Sequence, residues 1–155
     1  MEHVTIRFAL EPDEDGWPPV ASEGIWAQPL GDGRYRLDNT PWFVRGTSAN
    51  DVVAAAPDAA GTLWCSSTIG QSDRLTVRVI PRDDGPLRGE CQGVLDAFTP
   101  LGVTGEGLTQ PLHLVALDIG PAVDLGAVKR LLDAGENDGR WFYEEGNVSP
   151  QWEAL

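Results

Sequence analysis

Val4, Ile6, Phe8 and Leu10 alternate with Thr5, Arg7 and Ala9, the period of two that gives a strand one buried and one wetter face. After a turn-rich stretch over 11–19, extended segments at 24–28 and 34–38 flank Pro29-Leu30-Gly31-Asp32-Gly33. Gly-Asp-Gly supplies the positive φ angles a tight hairpin needs, so these segments are read as a β-hairpin. Further short strands are expected at 42–45, 51–55 and 63–68. Together they suffice to curl residues 1–72 into a small β-barrel or rolled sheet.

The period then changes. Leu75, Val77 and Val79 alternate as a strand, whereas Leu87, Cys91, Val94, Leu95 and Phe98 recur at helical spacing, with Pro86 suited to a first helical turn. Extended pieces follow at 102–107 and 112–119. Asp124 is placed to cap a helix whose inward stripe is Leu125, Val128, Leu131 and Leu132, with Gly135 or Gly139 near its end. A last strand at 140–144 completes the order strand, helix, strand, strand, helix, strand, which is ferredoxin-like (βαββαβ). The expectation is an α+β protein in which an N-terminal barrel or rolled sheet packs on a C-terminal ferredoxin-like half. The halves are residues 1–72 and 73–145, and 146–155 is read as a short polar tail held only at Trp152.

With 155 residues and 41% apolar side chains the chain can bury a core of its own. Eighteen glycines and twelve prolines favour short strands and tight connections over a helical bundle. Twenty-four Asp and Glu against eleven Lys and Arg give a net charge of −13, which repels phosphate backbones and anionic lipid, so no nucleic-acid partner is expected. No stretch approaches the ~20 apolar residues of a membrane span, and the start lacks a basic leader, so no membrane partner and a cytoplasmic location are expected. Cys65 and Cys91 are read as buried, reduced, structural thiols. Two histidines, His3 and His113, without CxxC or HxH spacing argue against a zinc site, and Asp13, Glu14 and Asp15 lack the spacing of a calcium loop. No metal or other cofactor is expected. Gly102-Val103-Thr104-Gly105-Glu106-Gly107 is no phosphate loop, because the glycine order differs, no Lys follows and Glu106 would repel phosphate. No GxSxG elbow surrounds Ser48, Ser66, Ser67 or Ser72.

Candidate chemistry gathers in the first half, where Trp17, Trp26, Trp42 and Trp64 interleave with Glu11, Asp13, Glu23 and Asp38-Asn39. Two or three indoles on a concave sheet would anchor a ligand ring or a partner's side chain, although core packing would use the same residues. Strand alternation points Trp26 away from Ile25 and Ala27. Trp17, Trp26, Asp38, Asn39 and Trp42 are therefore the candidate binding residues. Glu23 is the candidate general base, on the expectation that Trp17 and Trp26 desolvate it; an ordinary solvated carboxylate is the plainer reading. His113 is the weaker candidate, read as partly buried on the strand 112–119. Glu144 and Glu145, close to Trp141, Phe142 and Tyr143, form an acidic surface with aromatic anchors, suited to a basic protein partner.

The run Glu11-Pro12-Asp13, Trp17-Pro18-Pro19, Glu23-Gly24-Ile25-Trp26-Ala27, Tyr35-Arg36-Leu37-Asp38-Asn39, Pro41-Trp42-Phe43 and Asp51-Val52-Val53 resembles the bacterial family catalogued as domain of unknown function 4265. The likeness extends to Trp141-Phe142-Tyr143-Glu144-Glu145 and implies a shared fold, with no activity attached. Asn50 stands where the family has glycine, and Gln71-Ser72-Asp73-Arg74 makes a longer turn than the family's.

Two classes of function fit. The first is a non-enzymatic acidic binding protein that recognises a protein partner, for example one that neutralises a basic toxin. The second is a small cofactor-free tailoring enzyme (cyclase, isomerase or lyase) or a small-molecule carrier, using a Trp-lined pocket with a carboxylate base. Fold alone does not choose between them.

Overall fold

Alternation along β1 (Val4–Ala9) buries Ile6 and Phe8 and leaves the residues between them wetter, in a computed structural model that describes residues 3–155. β1 pairs antiparallel with β2 (Ser22–Gly31), setting Ile6 opposite Ile25 and Phe8 opposite Glu23. β2 turns into β3 (Arg34–Leu37) through Gly31, Asp32 and Gly33, whose φ angles of 91°, 57° and 72° are the left-handed values the hairpin needs. β4 (Val52–Pro57) and β5 (Leu63–Gly70) continue the antiparallel series. β5 then returns parallel to β1, placing Leu63 opposite Ile6, and the five strands close into a barrel. Ile6, Phe8, Ile25, Ala27, Leu37, Val44, Val53 and Ala55 fill it. These strands belong to the first of two compact units, Met1–Asp73 and Arg74–Leu155.

The strand expected at 42–45 does not form; residues 38–51 link β3 to β4 as a loop. The reason is local. The N–H groups of Trp42, Phe43 and Val44 donate to one carboxylate, Glu23, rather than to a neighbouring strand. At the end of this loop Asn50 sits at φ 68°, the left-handed region that glycine favours and that asparagine tolerates best among the other residues.

The second unit is an antiparallel sheet in the order β7-β8-β6-β9, built from β6 (Leu75–Pro81), β7 (Thr104–Leu108), β8 (Leu114–Ile119) and β9 (Trp141–Asn147). Helix α1 (Cys91–Phe98) connects β6 to β7, through a 3₁₀ turn (Thr99–Leu101), and α2 (Leu125–Asn137) connects β8 to β9. Leu75, Val77 and Val79 alternate on β6, and Val115, Leu117 and Ile119 on β8. They meet Val94 and Phe98 of α1 and Val128 and Leu132 of α2 in one core, so both helices serve the same face. The Asp124 side chain caps α2 by accepting from the Ala127 N–H at 3.1 Å.

Several boundaries in the second unit differ from the sequence reading. α1 starts at Cys91 rather than at Pro86, because Arg88 (φ 54°) and Gly89 (φ 72°) take left-handed angles that no helix continues. β9 runs on to Asn147. Beyond it a short helix, α3 (Pro150–Glu153), capped by Ser149, carries the fully buried Trp152. Cys65 and Cys91 are free and partly buried, and burial pushes both thiols above their ordinary range. No helix among the described residues is long and apolar enough to cross a membrane.

Trp141 fixes the close of α2. Its ring is fully buried beside Phe98, and its indole N–H donates to the Leu132 carbonyl at 3.0 Å. A Cβ on Gly135 would fall inside that indole. Gly135→Ala should gain about 1 kcal/mol of helix propensity and lose about 1–3 kcal/mol to overpacking. Since the indole is pinned by its hydrogen bond, the loss should win. A lowered thermal midpoint with altered near-UV circular dichroism is expected; a raised midpoint would show that the ring moves aside freely.

Candidate functional site

β2 presents different chemistry on its two faces. Glu23, Ile25 and Ala27 point inward and are buried, whereas Trp26 points outward and is 54% exposed. Across the outer surface Trp26 lies opposite Thr5 of β1, and on its other side its carbonyl accepts the Asp38 N–H at 2.8 Å. The Asn39 side-chain oxygen accepts the Trp26 N–H at 2.9 Å. The backbone of Trp26 is thus held at both polar groups by consecutive residues leaving β3. His3, just before β1, meets the indole edge to face, with ring centroids 6.1 Å apart. Its Nε2 lies 2.5 Å from Asp38 Oδ2.

His3, Trp26, Asp38 and Asn39 line a surface pocket of about 320 Å³. That is the lower end of small-molecule sites, suited to one side chain or a small head group rather than a large cofactor. Its chemistry is an aromatic face, a carboxylate, an amide and an imidazole. The arrangement can grip a ligand through ring contact and charge, and the Asp38–His3 pair is also the geometry of an oriented proton acceptor.

Of the residues singled out from the sequence, Trp26, Asp38 and Asn39 come together here. Glu23 does something else. It is only 6% exposed, its Oε2 accepts from Trp42 N–H at 2.6 Å, and its Oε1 accepts from Phe43 and Val44 N–H at 2.9 and 3.1 Å. Trp26, expected to desolvate it, lies on the opposite face of the strand. The carboxylate is buried by the loop it holds. Trp17 packs its ring against Phe43, with centroids 5.8 Å apart, and Trp42 supplies a backbone donor to Glu23. Trp42 therefore belongs to the anchored loop and Trp17 packs against it; neither lines the Trp26 pocket.

The other candidates lie in the second unit. His113 precedes β8 instead of lying on it and is exposed rather than partly buried. Its Nδ1–H donates to the Gly89 carbonyl at 2.6 Å; since a carbonyl only accepts, that nitrogen carries the hydrogen. Glu144 accepts from the fully buried Arg78 at 3.0 Å, and Glu145 accepts from the Trp152 indole N–H. Both acids expected to face a partner have internal bonds. Tyr143 donates to Asp133 at 2.6 Å, and burial together with that carboxylate pushes its hydroxyl well above the usual tyrosine range.

His3 is the residue that sequence reasoning missed. It entered only as a poor zinc ligand. The signal was its parity with Thr5 on β1, which puts it on the outward face that also carries Trp26.

The fold and the pocket define a two-unit α+β protein with a closed barrel whose outer wall carries an aromatic, acid-rimmed site. Residues 23–143 match the family described as "Domain of unknown function (DUF4265)", and the chain belongs to that family. A solved structure described as "Novel crystal structure of a hypothetical protein from Neisseria gonorrhoeae" is similar, with a TM-score of 0.71 at 18% identity. The alignment covers 95% of this chain and 94% of that one. At that identity the likeness speaks to the fold. No curated protein matches the chain.

Glu23→Gln should destabilise the first unit by roughly 2–3 kcal/mol, because an amide nitrogen would face the Trp42 N–H and the charge behind the other two bonds is lost. Urea unfolding followed by tryptophan fluorescence measures it. A change below about 0.5 kcal/mol would show that the carboxylate does not hold the loop.

Proposed function

We propose that this is a non-enzymatic binding protein that recognises a protein partner through the Trp26 pocket. The observation that carries the reading is the half-exposed indole, fixed by Asp38 and Asn39 through its backbone instead of being packed into a core. Large, rigid, partly exposed aromatics with a polar rim are the usual anchors of recognition surfaces. A basic partner, of which a toxin would be one example, suits the net charge of −13. The acidic pair Glu144 and Glu145 contributes less to this proposal, since each already serves an internal donor. A cytoplasmic setting is proposed with it, supported by two free cysteines. For the second unit we infer a ferredoxin-like relationship, supported by its element order and by the strand order β7-β8-β6-β9.

A second reading, a cofactor-free enzyme, draws on the His3–Asp38 pair. In it His3, rather than Glu23 or His113, would be the base. It predicts a turnover on some small substrate that falls by about a hundredfold or more in His3→Gln.

Native mass spectrometry of the protein purified gently from its own host distinguishes the two. The binding reading expects a stoichiometric protein partner, lost in Trp26→Ala and kept in Phe142→Ala, with folding stability changed by less than about 0.5 kcal/mol at these exposed sites. A partner retained equally by Trp26→Ala, or a retained small molecule in its place, contradicts it.

A further inference from the structure

We propose that the Trp26 pocket takes the guanidinium group of an arginine presented by the protein partner. This rests on the binding reading above and adds the chemistry of the ligand. The face of an indole carries the negative lobe of its quadrupole and attracts cations, arginine above all because its planar group also stacks. Asp38 supplies a carboxylate beside that ring, with lone pairs on two oxygens; His3 Nε2 engages Oδ2. Asn39 spends its side-chain oxygen on the Trp26 N–H. Its NH2 group remains to donate to a main-chain carbonyl of the same partner.

The protein's own cations do not fill this role. Among the described residues Arg82 lies over Phe142 at 4.9 Å, Lys129 over Trp152 at 5.7 Å and Arg140 over Trp141 at 4.5 Å, and none lies over Trp26. Arg7 and Arg36 share the outer surface of the barrel, yet Arg7 donates to Ser22 at 2.6 Å and Arg36 donates to Gln28. An anionic ligand would meet Asp38 and a net charge of −13. A basic segment, by contrast, is drawn in by both. The open depression of about 320 Å³ has room for one such side chain.

The test is a titration of the isotopically labelled full chain with the peptide acetyl-Gly-Arg-Gly-amide, following the Trp26 indole N–H signal by NMR after assignment through Trp26→Phe. The counterpart with citrulline keeps the shape and removes the charge. The arginine peptide should shift the Trp26 signal and bind at least about tenfold more tightly than the citrulline one, as expected for a charged hydrogen bond. Asp38→Asn should abolish the difference, and added salt should weaken arginine binding alone. Equal binding by both peptides, or an unmoved Trp26 signal at millimolar peptide, overturns the cation assignment. A lysine peptide that binds as tightly overturns the assignment to guanidinium. Neither result touches the binding reading itself, which fails only if the native partner is indifferent to Trp26→Ala.

Discussion

One buried carboxylate organises the first unit. Glu23 reaches inward from β2 and accepts the N–H groups of Trp42, Phe43 and Val44. Burying a carboxylate costs several kcal/mol, and three hydrogen bonds to a charged acceptor return roughly 1.5–3 kcal/mol each, so the arrangement stands only because all three are made. Asp51, also fully buried, secures the end of the same loop through the N–H groups of Ser48 at 3.1 Å and Ser72 at 2.8 Å. The start of that loop is Asp38 and Asn39, which grip Trp26. The inward face of β2 therefore positions what its outward face displays.

This division of labour explains which parts of the protein could be read in advance. The barrel strands and both long helices follow from periods of two and of about 3.6, together with the Gly-Asp-Gly turn and the Asp124 cap, all local signals. Residues 42–45 were misleading because Trp42-Phe43-Val44 has the composition of a strand. What keeps it from being one is an acceptor some twenty positions away, and such a partner leaves no periodic trace. The start of α1 was misplaced for a related reason: Leu87 keeps helical spacing with Cys91 while the backbone between them turns left-handed at Arg88 and Gly89.

The candidate site was half legible. Outward parity identified Trp26, and Asp38 and Asn39 entered as polar residues interleaved with the tryptophans. Glu23 was read as a base because an acid beside tryptophans suggests a ligand-facing carboxylate, whereas the structure turns it inward onto three backbone donors. Glu144 and Glu145 looked like a surface for a basic partner because their own internal partners, Arg78 and Trp152, are remote or follow in a segment read as a tail. In each case the missing information was a polar pairing between separate elements, which composition and spacing do not encode.

The claim that Glu23 holds the loop is most directly tested by amide hydrogen exchange at single-residue resolution under native conditions. Trp42, Phe43 and Val44 lie outside any helix or strand, so in a loop held by nothing their amides would exchange within the first measurable times. The account predicts that all three are protected to nearly the same degree as the amides of β2, and lose that protection together in Glu23→Gln. Rapid exchange of the three in the wild-type protein would contradict it.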